Sequence, residues 1–88
     1  MERIIIYSTN WCPDCRRAKD FLKRRGIEFE EINIEEDPDG EEIVIAANQG
    51  RRRVPTIKVG ERFFACSPFN AEQLAEELQI PLNPEQKS

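Results

Sequence analysis

Eighty-eight residues, 39% apolar and 34% charged, make one small domain with a thin core, and a formal net charge of −4 offers no broad basic surface to nucleic acid. No apolar run approaches the ~20 residues of a membrane helix, so no membrane partner is expected. Three cysteines without a histidine argue against both a disulfide framework and a closed intrachain zinc site, which takes four ligands, so no metal is expected.

Met1-Glu2-Arg3 leads into the short apolar run Ile4 to Tyr7 with no small-residue cleavage site after it. The run therefore reads as a strand rather than a signal peptide, and the cytoplasm is the expected compartment. It lacks alternation, as in a central strand covered on both faces. Trp11-Cys12-Pro13-Asp14-Cys15 follows, and from Pro13 to Arg25 the pattern turns helical. Cys15, Ala18 and Leu22 fall at i, i+3 and i+7 on one face with Phe21 beside them, while Arg16, Lys23 and Arg24 take the solvent side. Asp20 is spaced to pair with Arg24, and Gly26 suits the helix exit.

Phe29 to Ile34 reads as a second strand with Ile32 and Ile34 on one face, reached by a right-handed crossover that makes it parallel to the first. Glu28 to Glu42 holds nine acids and no base, which reads as a solvated edge and loop. Asp37-Pro38 starts a second helix with a capping acid and a proline at the first position. That helix is expected to carry Ile43, Val44, Ala46 and Ala47 inward and to stop near Gly50. Thr56 to Val59 and Arg62 to Cys66 form two short strands joined by Gly60-Glu61, a pair suited to a type II′ hairpin. Asn70 caps a last helix with Gln73 in capping-box spacing, and Ala71, Leu74, Ala75 and Leu78 give its buried stripe. Pro81 ends it. The order is βαβαββα, an α/β three-layer sandwich over residues 1–80, followed by a frayed tail over 81–88.

The cysteine motif carries the chemistry. In a reducing compartment a C-x-x-C pair is catalytic or metal-binding rather than a structural staple. With Pro13 at the first helical position, Cys12 becomes the capping residue, facing unpaired backbone N–H groups and the positive end of the helix dipole. That environment suits a sulfur that must act as a nucleophile. The helix phase turns Cys15 toward the core and leaves Cys12 at an exposed tip, so one thiol attacks and the other waits. The chain therefore reads as a thiol–disulfide oxidoreductase. Trp11 reads either as a cover and docking surface for the pair or as plain packing. Asp14 reads either as a charge that tunes the pair or as a solvated acid of the first turn. Arg51, Arg52 and Arg53 stand directly before Val54-Pro55, where they either bind substrate or form a solvated loop. Cys66, a residue type prone to burial, reads first as a packing thiol.

From Arg3 to about Leu78 the chain resembles the glutaredoxins of the thioredoxin-like fold. The matched points are Cys12-Pro13-Asp14-Cys15 after the first strand, Val54-Pro55 before the third, and the glycine-containing hairpin that leads into the last helix. It is also similar to mycoredoxins and ribonucleotide-reductase-partner redoxins. The resemblance implies a four-stranded mixed sheet with helices on both faces and a cis peptide bond at Pro55. Such a bond would present the backbone of Val54 to a thiol-bearing peptide. It implies Cys12 and Cys15 as the catalytic pair and a substrate surface of Trp11, Pro13, Asp14, Arg52, Arg53, Val54, Pro55, Cys66 and Ser67. No tightly bound cofactor is implied; glutathione or a similar low-molecular-weight thiol serves as co-substrate, and disulfide-containing proteins are the substrates of an expected monomer. The chain departs from the family at Asp14, where a tyrosine is common, and at Thr9, where a basic residue often stands. It departs again at Phe64, Ala65, Ser67 and Pro68, which replace the glycine pair and acids that hold glutathione. These departures keep two alternatives in view: a dedicated electron donor recharged by a flavin-dependent, thioredoxin-reductase-type enzyme or a non-glutathione thiol, and an iron–sulfur cluster carrier bridging two chains.

Overall fold

β1 (Ile4–Ser8) is the strand on which the rest is built. In this computed structural model, which describes residues 3–80, β1 pairs in parallel with β2 (Glu30–Asn33) and antiparallel with β3 (Thr56–Val59). β3 in turn pairs antiparallel with β4 (Arg62–Ala65), giving the mixed order β2-β1-β3-β4. The two central strands are the more deeply buried ones. Ile4 and Ile6 of β1 join Ile57 and Val59 of β3 under Ala18, Phe21 and Leu22 of α1 (Pro13–Arg24) and Leu74 and Ala75 of α3 (Ala71–Leu78). Tyr7 packs on the opposite side with Ile34 and with Val44 of α2 (Pro38–Ala47). This is the three-layer sandwich of the sequence reading, with α1 and α3 on one face and α2 on the other.

The local signals act where the sequence places them. Asp37 accepts from the Gly40 N–H at 3.1 Å and Asn70 from the Gln73 N–H at 3.0 Å, each satisfying a donor that the first helical turn leaves open. α1 leaves through Gly26 at φ +68°, with the Ile27 N–H on the Leu22 carbonyl (3.0 Å) and the Gly26 N–H on the Lys23 carbonyl (3.1 Å). That bond pair is a Schellman exit. In the hairpin Gly60 takes φ +62° and Glu61 does not follow it, as a type II′ turn requires.

Two expectations are corrected. Around α1 the ion pairs run from Arg17 to Asp14 and from Lys19 across to Glu31, rather than from Asp20 to Arg24. The buried stripe of α2 is Gly40 and Val44, with Ile43, Ala46 and Ala47 exposed. The cause is the close approach of α2 to β2: a Cβ at Gly40 would lie 3.0 Å from Ile32 Cγ2. At the other end the Asn48 amide donates to Thr56 Oγ1 at 3.0 Å. These two contacts, eight residues apart, fix which face looks inward, and Ile43 falls outside it. Pro81 and the proposed tail lie outside the described residues. Among the described residues no helix is long and apolar enough to cross a membrane.

Val44→Ala is expected to cost about 2 kcal/mol and Ile43→Ala under about 1 kcal/mol, by the difference in apolar surface each removes from the interior. Urea denaturation of the two variants checks it. Equal costs would mean that α2 sits in the phase the sequence suggested.

Candidate active site

Cys12 caps α1 with extended backbone, φ −87° and ψ 113°. Its sulfur accepts the Cys15 backbone N–H at 3.1 Å, and its carbonyl accepts the Arg16 N–H at 3.2 Å. The cap thus uses the sulfur where a serine or aspartate would use oxygen. The same sulfur lies 3.7 Å from the Val54 carbonyl, to which the thiol donates. That contact corrects the expectation of an exposed tip: Cys12 is only 6% exposed, because the Val54-Pro55 segment crosses over the start of the helix. The Val54–Pro55 bond is cis, and so is Ser67–Pro68, which no sequence signal marks.

Cys15 sits one turn further on, 1% exposed, and its thiol hydrogen-bonds the Cys12 sulfur. Burial first, then that hydrogen bond, push the Cys15 thiol up to about 12, against the Thr9 backbone and the Lys19 charge, which pull it down. Both thiols are buried, and Cys12 is the more accessible of the two.

The expected substrate residues divide into those around the pair and those behind it. Trp11 is 60% exposed and its indole N–H donates to Glu35 at 2.9 Å, so it rims the site rather than covering it. Pro13 is exposed at the first turn, and Asp14 lies 3.4 Å from Arg17. Arg53 donates to the Ser67 carbonyl at 2.6 Å, tying the two cis-proline segments together. Arg52 is taken up by acids, with Nε 2.8 Å from Glu41 and a terminal nitrogen 3.9 Å from Glu35. The three arginines lie exposed in a loop, with Arg52 and Arg53 held by partners. Cys66 is corrected from the substrate surface to the interior: it is fully buried, its N–H donates to the Pro55 carbonyl at 2.9 Å, and burial pushes its thiol up. It supports Pro55 from behind.

Sequence reasoning missed a polar group that ties α1 to the sheet. Glu31 accepts from the Lys19 ammonium at 2.7 Å and the Ser8 hydroxyl at 2.8 Å. Lys19 stands four residues from Cys15, which a helical wheel displays; that β2 delivers an acid to it was not legible.

A family model described as glutaredoxin matches residues 4–64. The mycoredoxin 1 of Corynebacterium glutamicum is 36% identical over 75 residues, covering 85% of this chain and 92% of that protein. The glutaredoxin of Pseudomonas aeruginosa is 36% identical over 84 residues, covering 94% and 99%. Among solved structures, the glutaredoxin-like NrdH-redoxin of Escherichia coli, described as having a thioredoxin-like activity profile, superposes with a TM-score of 0.64 at 35% identity, over 72% of this chain and 80% of that one.

Both buried thiols stay protonated in the folded chain beyond the pH, about 8.5, at which unfolded cysteines ionise. Their contribution to stability is complete below that pH and is lost as pH rises from there toward about 12. Melting temperature should fall between about pH 8 and 10, below the range in which Tyr7, itself pushed up by burial, would contribute. A Cys15→Ala/Cys66→Ala double variant should show a flatter profile over the same range; an equal fall in both proteins would contradict the assignment.

Proposed function

The chain belongs to the glutaredoxin family, and from that membership we propose that it reduces disulfides by a two-thiol exchange in which Cys12 is the nucleophile and Cys15 the resolving thiol. The observation that carries this reading is the Cys12 sulfur seated on the α1 N-terminus, 3.1 Å from the Cys15 N–H, with the buried Cys15 thiol directly behind it. A backbone donor and the helix dipole both favour negative charge on that sulfur as it attacks or leaves. Cys12 attacks one sulfur of a substrate disulfide and forms a mixed disulfide, releasing the first substrate thiol. Cys15 then attacks Cys12 and releases the second, leaving a Cys12–Cys15 disulfide. An external dithiol, or two monothiols in turn, return the pair to thiols.

The substrate surface in this reading is the exposed rim of Trp11 and Pro13, with Asp14, together with Val54, Pro55 and Ser67. An incoming peptide would take the place of the Cys12 thiol at the Val54 carbonyl and pair there as an added strand. The working protein is a monomer in the cytoplasm, where its reductant is regenerated.

A specific feature favours the second reading, a donor recharged by something other than glutathione. Phe64, Ala65, Ser67 and Pro68 occupy the segment where glutaredoxins carry their glycine pair, and Arg52 is already held by Glu35 and Glu41. The relatives named mycoredoxin and NrdH-redoxin fit that direction. A flavin-dependent reductase or a different low-molecular-weight thiol would then serve as reductant.

Two coupled assays separate the readings: a glutathione mixed disulfide with glutathione and its reductase, and a protein disulfide with a thioredoxin-type reductase. Turnover in the first identifies a glutathione-dependent enzyme, and turnover confined to the second a reductase-fed donor. Cys12→Ser should abolish either, whereas Cys15→Ser should accumulate a mixed disulfide with the protein substrate, visible on a non-reducing gel. Turnover that survives Cys12→Ser would overturn the proposal.

A further inference from the structure

A peptide can add itself as a strand at Val54 only if the backbone of that residue already stands in one place. Val54 lies between an exposed run of three arginines and the start of β3, so its position has to be imposed from behind. A chain of hydrogen bonds does so. Asn48, the capping residue at the end of α2, gives its side-chain amide to two acceptors, the Val44 carbonyl at 2.7 Å and Thr56 Oγ1 at 3.0 Å. The Thr56 hydroxyl, fully buried, donates in turn to the Arg53 carbonyl at 2.7 Å and closes a turn around Val54 and Pro55. A hydroxyl carries a single proton, and because Asn48 donates to this oxygen the proton is directed to Arg53. From the other side, the Cys66 N–H holds the Pro55 carbonyl at 2.9 Å and the Arg53 guanidinium holds the Ser67 carbonyl at 2.6 Å. The turn so fixed presents the Val54 carbonyl to the Cys12 sulfur, 3.7 Å away.

We propose that Thr56 is a positioning residue for substrate docking: its hydroxyl, oriented by Asn48, locks the Arg53–Thr56 turn so that the Val54 backbone is ready to pair with a peptide. The inference rests on the two-thiol reading above, in which the backbone beside the target disulfide docks at Val54. Thr56 exchanges no proton and acts only through the turn. Its own backbone pairs with Tyr7 of β1 and Ala65 of β4, so removing the hydroxyl spares the sheet and falls on the turn. The Arg53 carbonyl and one hydrogen of the Asn48 amide would then lose their partner. The turn would regain freedom that an incoming peptide must remove again on binding.

Two probes with the same mixed disulfide isolate the docking step: cysteine capped with thionitrobenzoate, and a short linear peptide whose one cysteine carries that cap. Cys12 gives its proton to solvent and attacks the cysteine sulfur. The new disulfide forms as the bond to thionitrobenzoate breaks, and thionitrobenzoate leaves as the coloured thiolate with the electron pair. In Thr56→Val the half-saturating peptide concentration should rise about three- to tenfold, while the limiting rate stays within about twofold. The advantage of the peptide over free cysteine should fall by the same factor. Thr56→Ser keeps the hydroxyl and should stay within about twofold of wild type, which a role in packing the methyl group would not predict. Asn48→Ala should raise the half-saturating concentration too, and adding it to Thr56→Val should change little, because both act through one oxygen. Thermal melts identify the variants that are folded at the assay temperature; if Thr56→Val is not, Asn48→Ala beside Thr56→Ser carries the same comparison. An unchanged half-saturating concentration, an equal loss with peptide and free cysteine, or a Thr56→Ser variant as impaired as Thr56→Val would overturn the proposal. Thionitrobenzoate release that survives Cys12→Ser would instead remove the two-thiol reading itself.

Discussion

The backbone N–H of Cys15 bonded to the sulfur of Cys12 is the contact on which the site depends. It is a helix cap and a redox contact at once. An α-helix begins with donors that have no partner inside it, and here one of them is met by a sulfur. Because the cap residue keeps extended backbone while Pro13 starts the helix, the second cysteine lies one turn further along, within reach of the first. Lengthening or shortening the spacer by a residue would rotate Cys15 by about 100° around a helix of 3.6 residues per turn and take it off the core face.

The remainder of the molecule gives that cap its setting. β1 ends at the loop that presents Cys12, and β3 is preceded by the cis Val54–Pro55 bond whose carbonyl meets the same sulfur. The two segments are neighbours because β1 and β3 pair in antiparallel register, with Tyr7 opposite Thr56. Cys66 and Asn48 hold the proline segment from behind, one through the Pro55 carbonyl and the other through Thr56. Beside α1 a hydrophobic cluster takes Ala18, Phe21 and Leu22, and a polar group of Lys19, Glu31 and Ser8 ties the helix to β2 and β1.

The order of elements, the two proline-led helix starts, the hairpin and the inward phase of α1 were all legible along the chain. Each is carried by residues within one turn of helix or one strand of the feature they specify. α2 was not legible in phase, since a helix with apolar residues on several sides leaves its buried face to whatever it packs against. Ile32, which would crowd even a Cβ at Gly40, marks the face that packs on the sheet. Cys12 was misplaced for a related reason: exposure depends on the segment that crosses a residue, and Val54 lies 42 residues away in sequence. The arginine cluster reads as open in sequence and is engaged in the fold, because Glu35 and Glu41 come from the loop and helix beside it.

What the sequence determined by itself was the chemistry of the motif. Two cysteines, their spacing and the proline between them dictate a capped helix start with a second thiol one turn behind, a local geometry that needs little beyond the strand before it. Tertiary structure alone decided the surroundings of those thiols: how deeply each is buried and which carbonyl faces Cys12. Those properties arise from groups far apart in the chain, and the low-dielectric interior that holds a buried thiol in its protonated form exists only once the core has closed.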